Sequence, residues 1–225
     1  LWAVTSGDAV FAAVGAWGVA ACAFGLRTSG WRAVVAGAVG GLLLASLLFL
    51  AYGGATFLLL PLTMAVSARR SGAPGKARTV AAAIGVAVAV TAAFAVAGFW
   101  WFAGAAETRL QYWAGTAQFR TWTYFGLANL AVALVALGPA TFAGLTRLRD
   151  RRVLVLVGGG LVALLASHLS QYSRGEVERI WLLFYPWIAV AGGALIGSSR
   201  LRSAAWVGMQ AAGAIVLQAA LVSKW

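Results

Sequence analysis

A chain of 225 residues that is 62% hydrophobic and only 10% charged cannot hide its apolar surface as a water-soluble domain, and a bundle of membrane helices accounts for nearly all of its length. Lys and Arg outnumber Asp and Glu by 17 to 5. These cations sit mostly in short gaps between apolar runs, so they read as a signal that keeps loops in the cytoplasm and exclude a nucleic-acid surface.

The first apolar run extends from about Trp2 to Leu26, with Asp8 near one end and Arg27 at the other. It contains the single cysteine, Cys22, which can form no intrachain disulfide. The chain begins at Leu1 and has no basic segment ahead of this run, which predicts that it is the C-terminal part of a longer membrane protein. After the polar turn Arg27 to Arg32, residues 33–66 carry no charge. As one helix they would be about 51 Å long, against a hydrocarbon core of about 30 Å. Tyr52-Gly53-Gly54 divides the run, and Pro61 weakens its second half, so the expectation is a broken hairpin of two helices, 33–50 and 55–67; one kinked, tilted helix is the competing arrangement.

A basic turn, Arg69 to Arg78, leads to a segment from Thr79 to Phe102. Residues 103–121 are more polar, and the next segment covers Trp122 to Leu145. The charge run Arg147 to Arg152 precedes a short segment, Val153 to Ser167, and a second polar stretch, His168 to Arg179. Two last segments, 180–197 and 203–222, flank Arg200 and Arg202. If the loops at Arg27 and Arg69 lie on one side, an even number of crossings separates them. Alternation then gives an all-α, polytopic transmembrane bundle of about eight segments filling 1–225 as one domain. Loops at Arg27–Arg32, Arg69–Arg78, Arg147–Arg152 and Arg200–Arg202 are cytoplasmic; Asp8, Glu107, Arg109, Arg120, Arg174, Glu176, Glu178, Arg179 and Lys224 lie outside.

Only the outer segments combine acids, bases and aromatic rings, so they hold the candidate site. Glu176 and Arg179 are three apart and can share a helical face, whereas Glu178 points elsewhere. Arg179 can fork onto a phosphate, and Glu176 or Glu178 can accept a hydroxyl proton; an interfacial salt-bridge network is the alternative role for the same charges. Asp8, also outward, is a third candidate acid. Arg109 and Arg120 are candidate phosphate ligands. His168 can pair with a carboxylate or relay a proton, and Tyr172 and Trp181 can wall a prenyl chain or a sugar, although an interfacial aromatic belt also explains such rings. No Cys/His cluster has zinc-ligand spacing.

Gly7 to Trp17, Gly98-Phe-Trp-Trp-Phe102, Glu107 to Ala114, and Gly175-Glu-Val-Glu-Arg-Ile-Trp181 leading into Pro186-Trp187 resemble actinobacterial membrane proteins related to the GT-C superfamily of glycosyltransferases. The resemblance extends across most of the chain. It implies a multi-helix enzyme of the bacterial plasma membrane that transfers sugar from a polyprenyl-phosphate donor to a glycan or lipid acceptor at the extracytoplasmic face. It also implies a general base in the first large outer loop, frequently with a divalent cation; that loop would lie upstream of this chain. His168 departs from the pattern, because related proteins often carry an acid before the Leu-Ser pair that follows it. Two other roles fit the same outer charges: a transporter or flippase for a lipid-linked solute, and a noncatalytic subunit of a membrane protein assembly.

Overall fold

The computed structural model describes residues 7–197 and 199–220, and every regular element among them is helical. In chain order these are α1 (Asp8–Arg27), α2 (Gly30–Leu50), α3 (Gly54–Phe57), α4 (Leu59–Arg70), α5 (Lys76–Val96), α6 (Trp101–Ala114), α7 (Trp122–Arg147), α8 (Arg151–Ser170), α9 (Val177–Ile180), α10 (Tyr185–Ala189) and α11 (Arg200–Ala220). Short 3-10 turns occupy Thr116–Phe119, Trp181–Leu183 and Val190–Leu195. Five helices, α1, α2, α5, α7 and α8, are long and apolar enough to cross a membrane. Trp2, the end of the last expected segment and Lys224 lie outside the described residues.

In lipid there is little hydrophobic gain in bringing apolar helices together, so close packing must hold them. The helices meet through small residues. Helix α2 lies between α1 and α5. A Cβ on Gly40 would strike Cys22 and the Gly18 carbonyl, and one on Gly37 or Gly41 would overlap the backbone of Thr79 or Ala83. The Thr79 hydroxyl donates to the Ala33 carbonyl at 3.2 Å across the second of these interfaces.

The break at Ala51-Tyr52-Gly53 separates α2 from α3 and α4, but the two arms diverge to different partners: α2 packs on α1 and α5, and α4 packs mainly on α8. Gly75 N–H donates to the Leu26 carbonyl, so the basic turns at Arg27–Arg32 and Arg69–Arg78 sit together at one end of the bundle. At the other end the Trp101 indole donates to the Leu48 carbonyl at 2.9 Å, and Tyr172 donates to the Ala105 carbonyl at 3.3 Å.

Helix α7 is bent at Gly138-Pro139, where Gly138 takes φ 67° and ψ 168° and the proline supplies no N–H. The backbone groups freed by this break have no water at membrane depth. Gln210 of α11 accepts from Ala140 N–H at 3.2 Å and donates to the Leu137 carbonyl at 2.8 Å, which the Thr141 hydroxyl also reaches at 2.6 Å.

Residues 180–197, expected as one segment, keep right-handed helical backbone at the junctions up to Leu195 but alternate between α and 3-10 winding. After α9 come a 3-10 turn, α10 with Pro186 in its first turn, and a second 3-10 turn that contains Gly192-Gly193. This irregular stretch supplies the centre of the core. Trp181, Phe184 and Ile188 are buried with Phe57 and Leu60, and the Ala191 backbone lies so close to Gly144 that no Cβ fits there.

Candidate functional site

Helix α8 ends where Gln171 turns left-handed (φ 58°), and Gly175 (φ 86°) and Glu176 (φ 59°) do so again before α9. A left-handed glutamate is strained by about 1 to 2 kcal/mol, so other contacts must hold it. Asn129, buried in α7, donates to the Ser173 carbonyl at 2.8 Å and accepts from Gly175 N–H at 3.0 Å. Arg174, 6% exposed, donates to the carbonyl of Arg120 at 2.8 Å, to that of Ala117, and to the Gln171 side chain. Its guanidinium lies 4.2 Å from the centre of the Trp113 ring, and its backbone N–H donates to the Tyr112 hydroxyl at 2.7 Å. The loop 171–176 is thereby locked against α6, the turn at 116–119 and α7.

This lock presents a chain of four charges drawn from distant parts of the sequence. Glu176 uses one carboxylate oxygen for Arg120 at 3.0 Å and the other for Arg179 at 3.0 Å. Arg179 Nε also lies 3.4 Å from Asp8 at the start of α1, too poorly aligned for a hydrogen bond. Arg120 further donates to the Arg174 carbonyl. All four side chains are half-buried. Such pairs contribute about 1 kcal/mol or less each in water, so their main effect is to fix guanidinium positions where α1, α7 and α9 begin.

Helix α6 lies beside the network with no buried residue of its own. Arg109 stands 5.7 Å over the Tyr172 ring, and Gln111 donates to Glu107 at 2.7 Å. Asp8, Arg109, Arg120, Tyr172, Glu176 and Arg179 therefore gather at one end of the bundle. Glu178 is half-buried and takes part in none of the ion pairs among the described residues.

Two ligand candidates are placed differently from expectation. Trp181 is fully buried and donates its indole N–H to Ser167 at 3.1 Å, so it supports the site from the core and offers no wall to a substrate. His168 is buried between Trp122 and Trp181, with ring centres 4.9 and 5.8 Å away; its Nδ1 has no hydrogen-bond partner and it meets no carboxylate. Its helix turns it inward, whereas the expectation rested on its position beside a polar stretch.

Arg174 and Asn129 were not among the candidates. An asparagine within the apolar run Gly126 to Leu137 is a sequence signal, since a buried amide at membrane depth needs partners. Arg174 carried none, because a loop has no periodicity to show which way a side chain turns. A divalent cation does not fit here: Asp8 and Glu176 converge on Arg179, and among the described residues no three His, Cys, Asp or Glu side chains come together.

No family model, curated protein or solved structure matches this chain. The function therefore has to be argued from the site alone.

Proposed function

We propose that the chain is the membrane core of a polyprenyl-phosphate-sugar-dependent glycosyltransferase, crossing a bacterial plasma membrane about eight times with its basic turns in the cytoplasm and its mixed-charge end outside. The observation that carries this reading is the Glu176 carboxylate held between Arg120 and Arg179 at 3.0 Å each, at an end where Arg109 and Arg174 add further positive charge. Guanidiniums already fixed in position are suited to the charge that builds on a departing phosphate.

In this mechanism the acceptor hydroxyl oxygen bonds to the anomeric carbon as the bond from that carbon to the phosphate oxygen breaks. The leaving phosphate displaces Glu176 from Arg120 and Arg179. The hydroxyl proton passes to a carboxylate; Glu178 is free of arginine, whereas Glu176 would first have to release one. No step is routed through a metal ion.

The test is transfer of radiolabelled sugar from a panel of polyprenyl-phosphate donors to native membrane acceptors. Arg179→Ala is expected to lower transfer, and loss of the general base in Glu178→Gln to lower it about 10²- to 10⁴-fold. Binding of donor with no transfer to any acceptor would end the enzyme reading. A transporter or flippase would load a lipid-linked solute through the same outer charges. Movement of unchanged lipid across proteoliposomes would select it.

A further inference from the structure

The lipid-facing side of α1 and α2 carries a groove of about 520 Å³ that begins beside the basic turns. Its origin lies in the packing behind it. Gly18 and Gly40 bring the two helices together, so Ala20, Ala21 and Ala36 make a shallow floor while larger side chains stand out around it. Trp17 and Phe24, two turns apart on α1, form one wall and are 71% and 56% exposed. Trp31 and Val39 of α2 form the other.

At its mouth the groove is lined by Arg32, whose guanidinium lies 5.8 Å from the centre of the Trp31 ring. From Arg32 to Leu43 the helix rises about 16 Å, close to half of a 30 Å hydrocarbon core. The groove thus matches one leaflet in depth as far as Trp17 and Leu43, which also line a second apolar groove running on along Ala9, Val10, Ala13 and Val14 of α1. Arg27 ends α1 at the same level, and Gly75 N–H bonded to Leu26 brings the turn carrying Arg69, Arg70, Lys76 and Arg78 alongside. The one acid among the basic turns, Asp150, is engaged in capping α8 through the N–H groups of Arg152 and Val153.

We propose that this groove is a binding site for one anionic phospholipid of the leaflet at the basic end, with an acyl chain lying along Ala20, Ala21 and Ala36 and the phosphate against Arg32. Shape selects a single flexible chain. The surrounding positive charge selects an anionic headgroup over a zwitterionic one. The site is separate from the mixed-charge end and does not depend on the transferase reading.

The experiment uses the full chain in detergent, titrated with dioleoyl phosphatidylglycerol or dioleoyl phosphatidylcholine and read by native mass spectrometry. A phosphatidylglycerol carrying a photoreactive acyl chain maps the site in parallel. One phosphatidylglycerol is expected to bind at least about fivefold more tightly than phosphatidylcholine, the factor contributed by one juxtamembrane cation, and Arg32→Gln is expected to cut that preference by about the same factor, the other cations of the basic turns keeping the remainder. Ala21→Phe, which fills the floor, should abolish photolabelling of α1 and α2 while Arg200→Gln leaves it intact; retention of the elution profile shows that each variant is folded. Equal binding of the two lipids, labelling that is unchanged in both Arg32→Gln and Ala21→Phe, or cross-linking of the groove to a second copy of the chain would overturn the proposal.

Discussion

The side chain that most constrains the candidate site is Asn129, which makes no contact with the ion pairs yet fixes the backbone that presents them. Its amide satisfies the Ser173 carbonyl and Gly175 N–H together. Replacing it by Leu keeps the volume and leaves a buried carbonyl and a partly buried N–H unpaired, each costing about 1 to 3 kcal/mol. Asn129→Leu is therefore expected to lower stability by about 3 kcal/mol in a thermal unfolding series in detergent and to expose loop 171–176 to protease; unchanged melting would show that the loop is held without it. Within this site, the Glu176 and Arg179 pair was anticipated from a spacing of three on a helix, and the two do meet, although Glu176 is the left-handed residue ahead of α9 and not part of it. Arg120 and Asp8 were recognisable only as charges on the same side of the membrane. Their convergence on the same pair spans contacts between residues 56 apart and more, which no local pattern encodes.

Among the elements, the five long apolar helices could be read from hydropathy alone, because in lipid the length and polarity of a run decide whether it stays helical. The winding of 180–197 could not, since composition does not tell an α-helix from one that alternates with 3-10 turns. Pro186 and the Gly192-Gly193 pair were the visible warnings. The kink of α7 shows how a break is tolerated, with Gln210 and Thr141 bonding the groups that Gly138-Pro139 frees. Gln210→Leu preserves the apolar surface of α11, strands the Ala140 N–H and leaves the Leu137 carbonyl with the Thr141 hydroxyl alone. The expected loss is about 2 kcal/mol, less than for Asn129→Leu because this site is only partly buried and Thr141 also donates to the Leu137 carbonyl. The matched variant Gln210→Glu, neutral in this apolar setting, offers an acceptor to Ala140 N–H and one O–H donor, and should melt between the two. Equal melting of all three proteins would mean that the kink needs no partner from α11.

For the whole molecule, the testable property is the separation of a basic end from a mixed-charge end. The turns at Arg27–Arg32 and Arg69–Arg78 meet through Gly75 and Leu26, whereas Asp8, α6 and the loop before α9 meet through Arg179 and Tyr172. Charge parity anticipated that the two basic turns share a side, because an even number of traverses must separate loops that both carry cations. The native Cys22 is buried, which makes engineered thiols readable against a quiet background. Ser29→Cys and Ser71→Cys place thiols on the two basic turns, and Gln118→Cys places one on the exposed turn beside Arg120. In sealed inside-out vesicles a membrane-impermeant maleimide is expected to label positions 29 and 71 and spare 118; in intact spheroplasts the pattern reverses. Labelling of 29 and 71 from opposite sides would place an odd number of crossings between them and remove the topology on which an extracytoplasmic site depends. Labelling of all three from one side would separate the bundle from any transmembrane reading of its two ends, whatever the fate of the individual site residues.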